Sequence, residues 1–272
     1  MPQNKGEVTS RPRKRRAPNT APTGPAQFLT RGGSTYSEII YRKLRHAIVS
    51  MEMTPGTPIL EREIASEEGV SRTPIRDAVL RLAEEQLVEI VPKSGTFVGR
   101  IPMSALPEAL IARRALEDVT VRRATELAAQ NQLEDLDALI VQQAKAIARE
   151  DENAFHEADE LFHIRIAEIS RLPGIWRLIA SVKVQVDRYR RLTLPVSGRM
   201  ATAMEEHDAV LRAMRAKDID RAASAMSKHL SGLQIDFPKV RDMFSDHFIH
   251  DLDLSEDWLD AVALQPGEKA DE

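Results

Sequence analysis

"GVSRTPIRDAVLRLAEEQLV", residues 69–88, is the stretch that decides how this chain is read. A glycine-containing turn leads into a segment with Ile75, Ala78, Val79 and Leu82 at helical spacing, so one face of a short helix packs inward. Arg72 and Arg76 stand four residues apart beside that face and point the same way. Ser71 or Thr73 is available as a cap, and Pro74 is tolerated in the first turn. A helix N-terminus already favours anions through its free N–H groups and its dipole. Two cations placed there lower helix stability, a sensible arrangement when a polyanion is to arrive. Arginine also suits bidentate contact with guanine O6 and N7. The segment therefore reads as the leading end of a recognition helix for a DNA major groove. Taken by itself, a surface helix with two solvated arginines fits equally well, so the neighbours have to decide.

Upstream, "YSEIIYRKLRHAIVS" carries Ile40, Leu44, Ala47 and Ile48 at helical spacing, "MTPGTP" breaks the chain, and "ILEREIASEEG" predicts a second helix with Leu60, Ile64 and Ala65 on its apolar side, stopped by Gly69. Downstream, "LVEIVP" and "TFVGRI" predict two strands joined by "KSG". Helix, helix, turn, helix and hairpin over residues 34–101 make a winged helix-turn-helix. Arg62 on the second helix would face the DNA backbone or the groove edge. Lys93, Ser94 and Gly95 at the wing tip would approach phosphates or the minor groove.

From Ser104 to about residue 235 the pattern is helical nearly throughout. Six amphipathic segments are expected near 105–130, 132–149, 152–170, 173–192, 198–215 and 218–234. The breaks between them are short, which favours antiparallel neighbours and hence an all-α bundle over residues 104–235. The fold class expected is therefore mainly α, a winged helix-turn-helix with a small β-hairpin followed by a helical bundle. Two flanks stand apart. Residues 1–33 contain "RPRKRRAP", lack apolar periodicity and read as a disordered basic arm, either a solvated tail or an arm that touches phosphates. Residues 236–272 read as an acidic, partly disordered tail with one or two short docked helices.

The totals narrow the function classes. The chain has 272 residues, a formal net charge of −4, 42% hydrophobic and only 4% aromatic residues, and no cysteine. Disulfides, thiolate catalysis and cysteine-based zinc sites are excluded, and a reducing cytoplasm is the expected location. No apolar run approaches a membrane span of about 18 residues, and no P-loop, dinucleotide fingerprint, nucleophile elbow or H-E-x-x-H motif occurs.

Three histidines in the helical half share a setting. "ADELFHIRIAE" places Asp159 and His163 at i,i+4, "EEHDAVLRAM" holds His207 and "MSKHLSGL" holds His229, each near the inner side of its helix. One carboxylate and three imidazoles could bind a divalent transition ion such as Zn²⁺, Ni²⁺ or Mn²⁺. Each histidine alone reads equally as a hydrogen-bonded core residue. Arg113 could anchor a carboxylate with its fork of donors, or pair with Glu117 at i,i+4. "DRYRRLTL" offers Arg188, Tyr189 and Arg191 as further effector contacts. "DHFIHDLDLSED", with His247 and His250, reads as a solvated cluster.

The stretch "GTPILEREIASEEGVSRTPIRDAVLRLAEEQLVEIVPKSGTFV" resembles the winged-helix domain of the GntR family of bacterial transcription regulators. The resemblance implies DNA contact by Arg62, Ser71, Arg72, Thr73, Arg76 and Gly95. Met51 and Gln86 depart from it, standing where the family commonly has glycine. The helical half is similar to the FCD ligand-binding domain of the FadR subfamily, in which a D-x3-H helix and two later histidines match Asp159, His163, His207 and His229, and a pocket-facing arginine matches Arg113. The resemblance spans residues 34–235. It implies a homodimer on a palindromic double-stranded operator, most often a repressor, released by a small organic acid bound at a metal-containing pocket, with no membrane and no catalysis. A metal-ion sensor is the alternative reading, and a metal-dependent hydrolase a more distant one.

Overall fold

The structure, a computed structural model, describes residues 35–195, 198–232 and 237–252. The basic arm and the end of the tail lie outside the described residues. Helix α1 (Tyr36–Val49) is capped by Thr35, whose hydroxyl accepts from the Glu38 N–H at 3.2 Å, and it buries Ile40, Leu44 and Ile48. Helix α2 (Glu61–Glu67) ends at Gly69, in the left-handed region at φ 64°, and the Val70 N–H returns to the Ala65 carbonyl. Helix α3 (Arg72–Glu84) buries the expected Ile75, Ala78, Val79 and Leu82. Strands β1 (Val88–Val91) and β2 (Gly95–Val98) pair antiparallel, with Val88 opposite Val98.

One expectation in this half is corrected. Leu60 is 48% exposed, and Ile59 is the residue in the core. Residues 57–59 run extended along β2, after a turn at Gly56 (φ 83°). The Gly56 N–H donates to Val98 O, the Val98 N–H to Thr57 O and the Ile59 N–H to Thr96 O, each at 2.8 Å. That pairing imposes a period of two, which turns Ile59 inward and Leu60 outward.

Two of these helices end in the left-handed region at residues other than glycine. Met51 (φ 64°) follows α1 and Gln86 (φ 57°) follows α3, the two positions where the family resemblance expects glycine. At Gln86 the closure is a Schellman motif, with the Leu87 N–H on Leu82 O and the Gln86 N–H on Ala83 O. The turn geometry is kept although the residue that relaxes it is absent.

The bundle follows a short strand β3 (Ile101–Pro102). It comprises α4 (Ala105–Leu127), α5 (Gln130–Ala148), α6 (Glu152–Ile169), α7 (Pro173–Val182), α8 (Val184–Thr193), α9 (Arg199–Arg215) and α10 (Ile219–Ser231). Phe162, Ile166, Val210, Met214, Met226 and Leu230 form the centre of its core. The single helix expected over 173–192 is two, broken at Lys183 (φ −82°, ψ −3°). The buried Lys183 ammonium sits on Asp187 (2.5 Å) and Glu160 (3.1 Å), holding the break in place. Helix α7 packs on α4, while α8 turns towards α1.

The tail docks on the rest of the chain as far as residue 252. Helix α11 (Phe237–Met243) and a 3-10 turn (Ser245–His247) lead to β4 (Phe248–Ile249), which pairs parallel to β3, Ile101 opposite Phe248. Asp251 accepts from the Ser104 N–H (3.0 Å) and hydroxyl (2.7 Å), capping the start of α4 from a distance. Phe237, Val240 and Phe248 complete a core with Ile101, Leu106 and Tyr189. The apolar spacing of this stretch is weak because its side chains fill a cleft rather than form a helix face. Phe248 is fully buried. Phe248→Ala is therefore expected to lower unfolding free energy by about 3–5 kcal/mol in denaturant titration. An unchanged midpoint would mean that the tail does not anchor the linker.

Candidate metal centre and nucleic-acid interface

Asp159 and His163 lie one turn apart on α6, His207 on α9 and His229 on α10, and all four are buried. One ligand atom from each lies within 4.8 Å of every other. His207 Nε2 is 3.1 Å from His229 Nε2 and 3.6 Å from Asp159 Oδ1. His163 Nε2 is buried with no partner.

The outward nitrogens explain this arrangement. His163 Nδ1 meets Glu117 Oε2 at 2.5 Å, His207 Nδ1 meets Gln143 Oε1 at 2.9 Å and His229 Nδ1 meets Glu206 Oε2 at 3.0 Å. The Gln143 amide is oriented by its own Nε2, which donates to Ala158 O at 3.4 Å. Each partner is an acceptor, so each neutral ring carries its proton on Nδ1 and directs an Nε2 lone pair at the common centre. Converging lone pairs, one of them orphaned, repel one another and suit a cation. Acceptors on the far ring nitrogens are how proteins orient metal-binding imidazoles. The donor set thus fits a divalent transition ion.

The electrostatics agree. Burial, and then the neighbouring His229, hold His207 well below the ordinary imidazole range. Burial and then His163 do the same to His229. Burial alone would raise Asp159, but the Arg190 guanidinium outweighs it and keeps the carboxyl ionised. Burial likewise opposes ionisation of Glu117, and Arg113 and His163 overcome it. At neutral pH His207 and His229 are neutral imidazoles and Asp159 is a carboxylate, the forms that bind metal.

The proposed effector residues divide. Arg113 is brought to the site: it is 2% exposed, donates Nε to Glu117 Oε1 at 2.7 Å, and lines a cavity of about 10 Å³ with Arg190, Arg199 and His229. The i,i+4 pair with Glu117 and a place at the cavity are therefore both realised. Arg188 and Tyr189 are not brought there. Arg188 donates to Gly99 O at 2.6 Å and to Gln185 Oε1 at 3.0 Å, at the junction with the winged domain. Tyr189 packs edge-on against Phe237 at 4.9 Å. Residues 188, 189 and 190 occupy three directions around α8, and only Arg190 faces the cavity. Sequence reasoning passed over Arg190, along with Gln143 and Glu206, because nothing in their spacing marks them. His247 and His250 do not join a metal-like group among the described residues.

On the winged domain, Arg62, Ser71, Arg72, Thr73, Arg76, Lys93 and Gly95 are all exposed. The first turn of α3 holds no acidic residue, and Ser71 sits at its N-cap position without a side-chain cap bond. Arg72 rests on Glu61 at 3.3 Å, an exposed pair that water and phosphate compete with. Lys93 takes φ 65° at the wing tip, in a turn closed by the Ser94 N–H on Val91 O.

A winged helix presenting an exposed basic edge, joined to a helical bundle with a closed polar centre, defines a DNA-binding regulator with a sensor domain. Residues 36–98 match the bacterial regulatory proteins of the gntR family and residues 108–232 match the FCD domain. The HTH-type transcriptional repressor RspR of Escherichia coli is 32% identical over 209 residues, 77% of this chain and 92% of that protein. The gluconate operon transcriptional repressor of Bacillus subtilis is 27% identical over 235 residues, 82% of this chain and 89% of that protein. The structure of E. coli McbR/YncC superposes with a TM-score of 0.65 at 20% identity, covering 78% of this chain and all of that one, a likeness of fold. The chain belongs to the GntR family of transcription regulators and is not an enzyme. No described helix is long and apolar enough to cross a membrane.

The buried rings make ion-free stability depend on pH. His156 is also held down, to about 3, by burial and then Arg190. His156, His207 and His229 take up protons near pH 6.5 when unfolded but not when folded. Stability is therefore complete above that pH and falls below it, by up to ~1.4 kcal/mol per pH unit for each ring. Denaturant unfolding between about pH 7.5 and about pH 5 should show this loss, with a shallower slope in His156→Gln. A flat profile would show that the rings are protonated in the fold.

Proposed function

We propose that this protein is a cytoplasmic, ligand-responsive repressor of the FadR subfamily. It binds a palindromic operator as a homodimer and is released by a small carboxylic acid at an ion held by Asp159, His163, His207 and His229. The observation that carries the reading is the convergence of three imidazole lone pairs and one ionised carboxylate in a bundle that also grips the winged domain. The ion is Zn²⁺, Ni²⁺ or Mn²⁺. When bound it supplies a Lewis-acidic contact for a carboxylate. Arg113 and Arg190 flank the cavity and supply donors suited to the same group. The repressor names of the similar proteins from E. coli and B. subtilis support the sign of regulation.

A second copy would cover one particular face. Ile111, Ala115 and Val119 form an exposed stripe at i, i+4 and i+8 on α4, and Leu178 and Val182 extend it on the neighbouring α7. Two winged domains related by a two-fold axis would then meet the two halves of a palindrome. Arg62, Ser71, Arg72, Thr73 and Arg76 would lie along the major groove, and Lys93 and Gly95 at the flanking backbone.

The small cavity favours a second reading, in which the ion alone is the effector. A thermal-shift screen of metal-loaded protein against mono- and dicarboxylic, sugar and aromatic acids separates the two, with His163→Ala as control. An acid that raises the melting temperature of the wild type and not of the variant is the expected result. Metal that alone stabilises the protein and alters operator binding, with no acid adding to it, would establish the second reading.

The recognition helix is tested separately. Arg72→Ala or Arg76→Ala should relax preference at one base pair by roughly 1–3 kcal/mol, measured by competition among operator variants. Unchanged preference in both variants would remove α3 from the groove.

A further inference from the structure

Asp159 already has a cation. Arg190 NH1 meets Asp159 Oδ2 at 2.5 Å and Arg190 NH2 meets Asp159 Oδ1 at 2.7 Å, a buried bidentate pair reaching from α8 to α6. Oδ1 is the oxygen facing the imidazoles, 3.6 Å from His207 Nε2. The oxygen that would hold a divalent ion is therefore the oxygen that holds the guanidinium. A carboxylate oxygen can accept more than one partner, but two cations sharing it in a dry site repel strongly. Ion and guanidinium compete.

We propose that Arg190 guards the metal centre. In the ion-free chain its guanidinium neutralises Asp159, a divalent ion has to displace it, and the displaced guanidinium becomes the anchor for an anionic ligand. This rests on the metal-centred reading above and adds an order to it, ion first and anion second. Charge arithmetic supports the order. Arg113 pairs with Glu117 and Arg190 with Asp159, so these four residues balance before the ion arrives. A divalent ion adds two positive charges and breaks the second pair, which leaves a buried excess that an anion relieves. The space is placed for this. Arg190 already lines the cavity shared with Arg113 and Arg199. The cavity is only about 10 Å³ while Arg190 lies on Asp159. Movement of that side chain opens it.

The test is a metal titration of the full chain, wild type, Arg190→Gln and Arg190→Lys, with Mn²⁺ and with Zn²⁺. A partner that merely orients a ligand weakens metal binding when removed, by about 10–100-fold. A guard does the opposite. Arg190→Gln is expected to bind metal about tenfold tighter than wild type or better, and Arg190→Lys to lie between them. Equal or weaker binding by Arg190→Gln would overturn the proposal. If the glutamine variant is unfolded without metal because Asp159 is left unpaired, adding metal should fold it, read by circular dichroism. A variant that stays unfolded in saturating metal would equally overturn it.

The anion step has its own arm. An acid that raises the melting temperature of the metal-loaded wild type should lose that shift in Arg190→Gln, and a retained shift would overturn the anchoring role. Absence of a shift from any acid on wild type would count against the carboxylic-acid effector. The competition between ion and Arg190 would then be decided by the titration alone.

Discussion

Three imidazoles cannot turn their Nε2 atoms to one point unless something holds their opposite nitrogens, and here Glu117, Gln143 and Glu206 do so from α4, α5 and α9. The geometry of the centre therefore depends on hydrogen bonds made at the back of each ring. Those bonds tie α4, α5, α6, α9 and α10 to one point in the bundle. They also select the tautomer, because an acceptor behind a neutral ring leaves its lone pair inward. A bundle whose apolar core could slide by a fraction of a turn is held in register by polar contacts that have few alternatives in a dry interior.

Helix α8 connects this centre with the DNA-binding half. Arg190 reaches Asp159, Val184 enters the apolar core of the winged domain, and Arg188 donates to the carbonyl of Gly99 at 2.6 Å. Ten residues thus touch the sensor centre on one side and the winged domain on another. A change in what Asp159 binds is felt first by Arg190 and next by the helix that carries it. Coupling between two sites requires an element whose position both bias, and α8 meets that description through direct contacts at each end. The linker is held from the other side by the tail, through β4 and Asp251. Movement of the winged domain must therefore accommodate both constraints.

Much of this was legible from residue patterns. Apolar periodicity located α1, α3 and the bundle segments apart from the break that divides α7 from α8, and the i,i+4 spacing of Asp159 and His163 placed both on one face of α6. What periodicity could not convey was direction around a short helix of mixed composition. Arg188, Tyr189, Arg190 and Arg191 are adjacent and chemically alike, and which one faces the cavity depends on a break at Lys183 that no proline or glycine announces. The back-of-ring acceptors were hidden for a related reason. Glu117, Gln143 and Glu206 are ordinary helix residues whose role exists only when five helices pack together. Leu60 was misjudged because pairing with β2, a long-range contact, overrode local helical spacing.

The junction also gives a physical meaning to the unusual Gln86. Its left-handed conformation brings the chain off α3 so that its carbonyl lies beside Gly99, where a Cβ would come within 3.1 Å of it. Gly99 is thus favoured by the path of its neighbour, and its own carbonyl is the one that Arg188 takes. Gln185 reaches the carbonyl of Gln86 itself, at 3.4 Å. An L-residue in this conformation costs about 1–2 kcal/mol relative to glycine, and it reduces the freedom of the turn that carries the wing. A glycine at 86 would relax the backbone and widen the range of angles the winged domain can take against α8. A side chain there makes the turn less stable locally and better defined than a glycine would.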